Sequence, residues 1–181
     1  MECRENSVLK HLDFIFPMYS YRLWNKELLF LWKINGQRSL SYFFAAKVSL
    51  ALEKLGISFI VPVPPRKGKI AKNGWDQIDE LCTLLNVFFG HKILRLLERT
   101  TKLQQKKLDR ENRLNTIESA YRLLPEKVLE KNLKRMKTCL SDKICIIDDV
   151  CTTGSTLEAC AKLLKEYGFS QVGALTIFTV D

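Results

Sequence analysis

Apolar residues recur at helical spacing through the first third of the chain. Residues 21–32 show this period and end before the turn signal Asn35-Gly36, and a second, longer stripe stops at Gly56. Aromatic residues at helical spacing usually pack into a core, so both stretches are interpreted as packing helices. Residues 1–57 are therefore predicted to form an N-terminal helical portion that packs on the rest of the chain. The second stripe comprises Leu40, Phe43, Phe44, Val48, Ala51, Leu52 and Leu55.

From residue 58 onward, short β-branched runs alternate with amphipathic stretches. This alternation is typical of a parallel sheet with helices on its faces. Residues 58–181 are therefore predicted to be an α/β core, which forms one structural domain with the N-terminal portion because no repeat or linker divides the chain. Pro62 fits a central strand only if it marks the end of that strand. Strands are predicted at residues 58–63, 92–97, 121–124 and 171–180 and from Lys143 onward; helices are predicted between residue 77 and Gly90, over residues 126–137, and from Gly154 to Gly168.

The most informative stretch is residues 143–156. Its first half is apolar and β-branched, as in a buried parallel strand, and Asp148 and Asp149 stand where that strand should end. Gly154 allows a tight turn, so that consecutive backbone amides point into one concavity at the positive end of the following helix. A phosphate fits such a concavity, and the adjacent hydroxyl groups are further donors. These belong to Thr152, Thr153, Ser155 and Thr156.

Carboxylates only accept hydrogen bonds, so Asp148 and Asp149 suit ribose hydroxyls or a magnesium shell. The stretch therefore predicts a sugar-phosphate site. This prediction requires both carboxylates to reach solvent and residues 152–156 to curve into a cup. The alternative is an ordinary strand-to-helix turn, in which Ser155 or Thr156 caps the helix and both acids are solvated.

A stiff, basic loop follows the first predicted strand of the core. Pro64 lies among several prolines, and cations surround the following glycine. Rigid backbone beside positive charge suits an anion such as pyrophosphate, whereas the alternative is a solvated basic turn. The candidate pyrophosphate-binding residues are Pro64, Arg66, Lys67 and Lys69.

The chain carries a net charge of +9, with basic stretches at residues 95–113 and 126–143. This charge favours anionic partners, namely phosphorylated metabolites, nucleic acid or an anionic membrane surface, and does not choose among them. Residues 95–113 are predicted to form an exposed loop or flap. A flap could be a mobile lid over a polyanionic substrate, although most charge runs are solvated faces. Tyr121 is the nearest aromatic candidate for stacking on a base of single-stranded DNA.

The 6 cysteines contain no CxxC pair, so a zinc site is not expected, and most are predicted to be small core residues. A reducing cytoplasm is the plain expectation from this usage. The apolar patch at residues 12–16 is too short and too charged for a signal peptide, and no run is long enough to span a bilayer. The sequence therefore predicts a cytoplasmic protein without a membrane partner.

Residues 143–156 closely resemble the phosphoribosyl-diphosphate (PRPP) motif of type I phosphoribosyltransferases, in which two acids and two variable residues precede Thr-Gly-x-Thr. Three further blocks resemble the ComF family, a phosphoribosyltransferase-like group associated with bacterial competence and DNA uptake. Residues 61–64 are similar to its "VPVP" strand end and residues 72–77 to its "RGxNQ" segment. Residues 105–121 are similar to its "QxxLxRxxR…AF" flap. The family often carries an N-terminal zinc module of four cysteines, but only Cys3 precedes the domain here.

The resemblance implies a type I phosphoribosyltransferase-like fold and a glycosyltransferase of nucleotide metabolism that uses PRPP with Mg²⁺. A nitrogenous acceptor would displace pyrophosphate at the ribose anomeric carbon through an oxocarbenium-like transition state. Asp148 and Asp149 would then act at the ribose, residues 152–156 at the 5′-phosphate, and Gln105 and Arg113 on the flap. The alternative is a non-catalytic competence module that binds nucleotide or single-stranded DNA. The acceptor and the oligomeric state stay open, a homodimer included.

Overall fold

The fold is built on a five-stranded sheet in which every strand pair is parallel. The computed structural model describes residues 9–22, 24–66, 68–100 and 120–180. The strand order is β1-β7-β6-β2-β3, and a separate two-stranded sheet pairs β4 with β5. The strands are β1 Phe14–Ser20, β2 Phe59–Pro62, β3 Lys92–Ile93, β4 Leu97–Arg99, β5 Tyr121–Leu123, β6 Lys143–Cys151 and β7 Gln171–Thr179.

Helices cover both faces of the parallel sheet, which confirms the predicted α/β class. On one face, α1 (Trp24–Lys33), α2 (Ser39–Lys54) and α4 (Gln77–Phe89) share a core cluster that includes Cys145 and Ile147 of β6. On the other face, α5 (Glu126–Met136) and α6 (Ser155–Tyr167) pack with the β4–β5 pair. Because both faces are buried, β6 carries an uninterrupted apolar run before its acidic end.

The N-terminal portion is not wholly helical, which corrects the sequence prediction for residues 1–57. Residues 14–20 form β1, an edge strand paired in parallel with β7. Pro17 is tolerated at the sheet edge. Gly173 of β7 leaves room for the ring of Phe14, since a Cβ atom at Gly173 would lie 2.0 Å from that ring. This fit joins residues far apart in the chain, so the local pattern at residues 14–20 did not reveal the strand.

The strand predicted over residues 92–97 divides into two pieces. β3 pairs with β2 in the main sheet, whereas β4 turns away and pairs with β5 in antiparallel fashion, with Arg99 opposite Tyr121. The strand predicted near residues 121–124 therefore exists but lies outside the parallel sheet. Residues 101–119, which contain the predicted flap residues Gln105 and Arg113, lie outside the described part of the chain.

The prediction that Pro62 ends its strand is confirmed, and the structure adds a side-chain cap at the start of α4. Pro62 is the last residue of β2, which lies between β6 and β3, so its missing N–H falls where the ladder ends. Asp76 precedes α4 as its N-cap, and its Oδ1 accepts hydrogen bonds from the backbone N–H groups of Ile78 and Asp79. A short helix, α3 (Lys69–Asn73), comes between them. Within the described ranges, no helix is both long and apolar enough to span a bilayer.

Candidate functional site

The two stretches that the sequence singled out are neighbours at one edge of the sheet. β2 and β6 pair in parallel with Pro62 opposite Ile147, and the N–H of Val63 donates to the carbonyl of Ile147 at 3.0 Å. The loop after β2 and the turn after β6 therefore leave the same carboxyl edge. In open α/β sheets this edge is where ligands bind.

The turn after β6 curves and leads directly into a helix. Residues 152–154 form bends, Gly154 has a left-handed φ of 74°, and α6 begins at Ser155. Thr152 and Thr153 are exposed, and the hydroxyls of Thr153 and Ser155 are 2.8 Å apart. Gly154 holds the N-cap position and has no side chain, so the alternative of a helix capped by Ser155 or Thr156 does not form. The first turn of α6 thus follows directly on an exposed, hydroxyl-rich bend, and the Ser155 N–H lies 3.4 Å from Thr153 Oγ1.

The two acids at the end of β6 have different environments. Asp149 is 6% exposed, and its Oδ2 accepts hydrogen bonds from Lys33 Nζ and Gln77 Nε2, both at 2.5 Å. Asp148 is half-buried, and its Oδ1 accepts from the backbone N–H of Asp149 at 2.8 Å. The sequence prediction required both carboxylates to reach solvent. Asp149 departs from that expectation because partners inside the protein hold it.

Burial and the adjacent Asp149 carboxylate raise the pKa of Asp148 from its ordinary 3.8 to about 8, while Lys33 acts in the opposite direction. Asp148 also raises the pKa of Cys160, whose burial is the larger cause. The pKa of Tyr121 is also raised, chiefly by burial, and its hydroxyl forms a hydrogen bond with Thr156. The electrostatic neighbours of Asp148 therefore come from α1, β5 and α6 as well as from its own strand.

The predicted pyrophosphate residues do not share one environment. Pro64 is half-buried and Arg66 is exposed in the loop after β2. Lys69 begins α3, and its Nζ donates to Asp76 Oδ2 and Gln77 Oε1, both at 2.5 Å. Lys69 is thus engaged within the protein, and Lys67 lies outside the described residues.

A cavity of about 390 Å³ opens beside this loop. Pro64 and Arg66 line it together with Arg95 and Arg99 from the far side. Arg95 is paired with Asp79 at 2.6 Å, and the Arg99 guanidinium lies 5.3 Å from the centre of the Tyr121 ring. The cavity therefore joins the predicted pyrophosphate loop to the base of the β4–β5 pair.

Tyr121 does not offer a stacking surface for a nucleic-acid base. It is 5% exposed, and Arg99 lies over its ring. Its position beside Thr156 instead ties the β4–β5 pair to α6. The sequence-based suggestion of Tyr121 as a stacking residue is therefore wrong.

Two residues at the site carry roles that the sequence did not indicate. Lys33 ends α1 and reaches Asp149 across 116 positions of the chain, so no local spacing could have found it. Gln77 belongs to the block at residues 72–77 that resembles the ComF segment, but the sequence did not predict its bridge between Lys69 and Asp149. Long-range side-chain contacts of this kind leave no periodic signal.

In the described part of the chain, no three His, Cys, Asp or Glu side chains are close enough to hold a metal ion by themselves. Carboxylate and phosphate oxygens are ligands that Mg²⁺ prefers, and it usually binds through one or two carboxylates together with substrate phosphates. The half-buried carboxylate of Asp148 beside the exposed turn fits a magnesium ion that arrives with a phosphorylated ligand.

Comparison with known proteins agrees with this geometry. The model of the phosphoribosyl transferase domain matches residues 89–180, which is just over half of the chain and includes β6, the turn and α6. The chain belongs to the phosphoribosyl transferase domain family. It is also similar to the competence protein ComFC of Streptococcus pneumoniae (strain ATCC BAA-255 / R6), with 26% identity over 175 residues, covering 97% of this chain and 70% of the relative. These two matches confirm the resemblance to the ComF family of phosphoribosyltransferase-like proteins.

Proposed function

We propose that this protein binds PRPP with Mg²⁺ and transfers its ribose-5-phosphate unit to a nitrogenous acceptor, with release of pyrophosphate. The observation that carries the proposal is the shared edge of β2 and β6. It sets the turn at residues 152–154, in which Thr152 and Thr153 are exposed, beside the proline-rich loop at residues 63–66, with Asp148 next to the turn. A phosphorylated pentose has an anion at each end, and the two loops offer a binding element for each.

Each element then has one chemical task. The backbone amides after Gly154 and the hydroxyls of residues 152–156 bind the 5′-phosphate. In its ionised form, Asp148 accepts from the ribose hydroxyls and favours the positive charge that develops on the ring. Arg66 attracts the pyrophosphate end. Asp148 would help to hold a Mg²⁺ ion, which would supply charge neutralisation for the leaving pyrophosphate. Chemistry of this kind depends on placement and charge stabilisation, which a preorganised site supplies.

Isothermal titration of PRPP with Mg²⁺ tests the binding step. Wild type should bind, and Asp148→Asn should weaken binding by at least about tenfold, equivalent to about 1.4 kcal/mol. Asp142→Asn is the matched control, because it makes the same chemical change one residue before β6 begins, at the opposite end of that strand from Asp148. Absence of wild-type heat, or equal affinities for the two variants, contradicts the proposal.

Transfer itself is tested by screening nucleobases and amines for PRPP-dependent release of pyrophosphate. An acceptor that raises the release rate in wild type, and does so much less in Asp148→Asn, supports transfer. If PRPP binds but no acceptor causes release of pyrophosphate, the protein binds PRPP and the proposed transfer is wrong.

A second candidate function is nucleic-acid binding in competence, because the similar protein of Streptococcus pneumoniae is a competence protein. The observation that favours it is α5, where Lys127, Lys131 and Lys134 are all exposed at spacings that share one helix face. Such a row can contact phosphates without reading sequence.

Single-stranded DNA binding measured against salt tests this candidate. Replacement of the three lysines by Glu should abolish binding, and the wild-type affinity should fall steeply with salt, because each neutralised phosphate of a single strand contributes a slope of about −0.7. The same variant should bind PRPP as wild type does, whereas Asp148→Asn should bind DNA normally. A salt-independent affinity would count against the phosphate contacts.

A further inference from the structure

Asp149 is the centre of a polar network that joins four elements. From α1, Lys33 donates to its Oδ2, and from α4, Gln77 donates to the same oxygen. Gln77 accepts in turn from Lys69 of α3, which also donates to Asp76. The carboxyl end of β6 is thus connected to the end of α1 and to the start of α3.

The network fixes the direction in which the Gln77 amide points. Its oxygen accepts from Lys69, so its NH₂ group is directed at Asp149. Gln77 is 4% exposed, which leaves little water to compete for either end of the amide. Because Gln77 and Lys33 donate to one carboxylate oxygen from different helices, Asp149 is held from two sides.

The charge balance makes Lys33 the important partner. The side chain of Asp149 is 8% exposed, and a buried carboxylate needs a counter-charge or it is strongly destabilising. Lys33 supplies that charge from the helix end, while its own side chain stays 36% exposed. Loss of Lys33 would therefore strand a buried anion, whereas loss of the Asp149 charge would leave a lysine that can turn to water.

We propose that Lys33 is a positioning residue that, with Gln77, turns Asp149 into the protein, so that the acidic pair is divided and Asp148 alone meets the ligand. The inference deepens the proposed function and rests on it for the ligand. It assigns a specific task to the N-terminal helix α1, which lies outside the matched domain at residues 89–180. Asp149 then contributes by fixing the end of β6, from which Asp148 projects.

A double-mutant cycle on thermal unfolding tests, without any ligand, whether Lys33 holds Asp149. Lys33→Met should lower Tm by several degrees, Asp149→Asn should lower it less, and the double variant should resemble Asp149→Asn. Such non-additivity is expected for residues in direct contact. Lys33→Arg should restore most of the loss, and Lys26→Met is the control, because Lys26 is exposed two turns earlier on α1.

Titration with PRPP and Mg²⁺, and separately with ribose 5-phosphate, tests whether Asp148 alone meets the ligand. Asp148→Asn should weaken binding at least tenfold with no loss of Tm, whereas Lys33→Met should weaken it about as much as Asp149→Asn, and Lys33→Arg should recover it. Lys26→Met should bind as wild type does. All titrations are run at a temperature where every variant is folded.

The outcomes separate the two proposals. Additive Tm changes, or equal effects of Lys33→Met and Lys26→Met, overturn the positioning role. If the Tm changes are non-additive but Asp149→Asn loses more affinity than Asp148→Asn, the proposal that Asp148 alone meets the ligand is wrong. If wild type binds neither ligand, the proposed function and that division both fail, and the unfolding cycle alone decides whether Lys33 holds Asp149.

Discussion

Asp148 and Asp149 show how two identical side chains acquire different properties at adjacent positions. Successive side chains of a strand point to opposite faces, and here the two faces differ in what they offer. Asp149 meets a lysine and a buried amide, whereas Asp148 meets the half-open space beside the turn. The sequence predicted both acids and their place at the strand end. It did not predict their separate surroundings, because Lys33 and Gln77 come from distant elements.

Asp148 is expected to make the folded state less stable as pH rises. Its pKa is raised from 3.8 to about 8, so the folded protein binds a proton that the unfolded chain releases. Stability from this group is therefore complete below pH 3.8, falls between these two values and is constant above pH 8. Asp148→Asn removes the titration and should raise Tm relative to wild type by several degrees at pH 8.5 and by clearly less at pH 5.

Thermal melts of both proteins followed by circular dichroism at the two pH values provide the measurement. A Tm difference that stays constant or shrinks as pH rises would contradict the raised pKa. The same variant is the one expected to lose ligand affinity, so stability and binding should change in opposite directions.

Gly154 is required for two reasons, which a pair of variants can separate. Its φ is 74°, and a Cβ atom there would lie 3.0 Å from Leu9 Cδ2. Gly90 also has a φ of 74° but has no heavy atom within 4 Å of such a Cβ in the described structure. Gly90→Ala should therefore cost about 1–2 kcal/mol for the left-handed backbone alone. Gly154→Ala should cost measurably more in urea unfolding, and equal costs would show that Leu9 moves aside freely.

At the scale of elements, the sequence was reliable where a local rule applied. Pro62 ends a central strand, and Gly90 and Gly168 follow α4 and α6 as their C-caps. The rule failed for β1, because a run of apolar residues containing a proline has no alternation and becomes a strand only through its pairing with β7. It failed again at β4, which left the parallel sheet to pair with a strand that follows residues 101–119.

The pairing of β1 with β7 should depend on the absence of a side chain at residue 173. Gly173→Ala places a Cβ atom 2.0 Å from the Phe14 ring, so the ring or the edge strand must move. We expect this variant to lose about 1–3 kcal/mol of unfolding free energy, as is usual for overpacking. In a Phe14→Ala background the same substitution should cost almost nothing. Equal costs in the two backgrounds would show that the ring is not the obstacle.

At the scale of the whole molecule, the N-terminal residues are part of the core. β1 extends the sheet, and α1 and α2 bury Leu29, Trp32 and Phe44 against the face that also holds Cys145 and Ile147. The predicted boundary at residue 57 therefore separates two stretches of sequence and does not divide the packing. Sequence patterns located the helices, but they could not show that a strand preceding them completes the sheet.

Removal of residues 1–57 should consequently prevent cooperative folding. The fragment of residues 58–181 would expose the face of β6 and β7 that α1 and α2 cover, and it would leave β7 as an unpaired edge. We expect no sigmoidal thermal transition by circular dichroism, whereas the full chain should unfold in a single step. A fragment that unfolds cooperatively would show that the C-terminal part is an independent domain.

The hydrogen-bonded pairing of β2 with β6 has a consequence for how the chain tolerates insertions. An added residue within either strand advances its exit by about 3.3 Å and turns the following side chains to the opposite face. The proline-rich loop and the hydroxyl-rich turn would then no longer leave the sheet at the same height. An extra residue placed after Val63 or after Cys151 leaves the ladder untouched and changes only the reach of one loop. Related sequences are therefore expected to differ in the lengths of the two loops after these positions, and not in the lengths of β2 and β6.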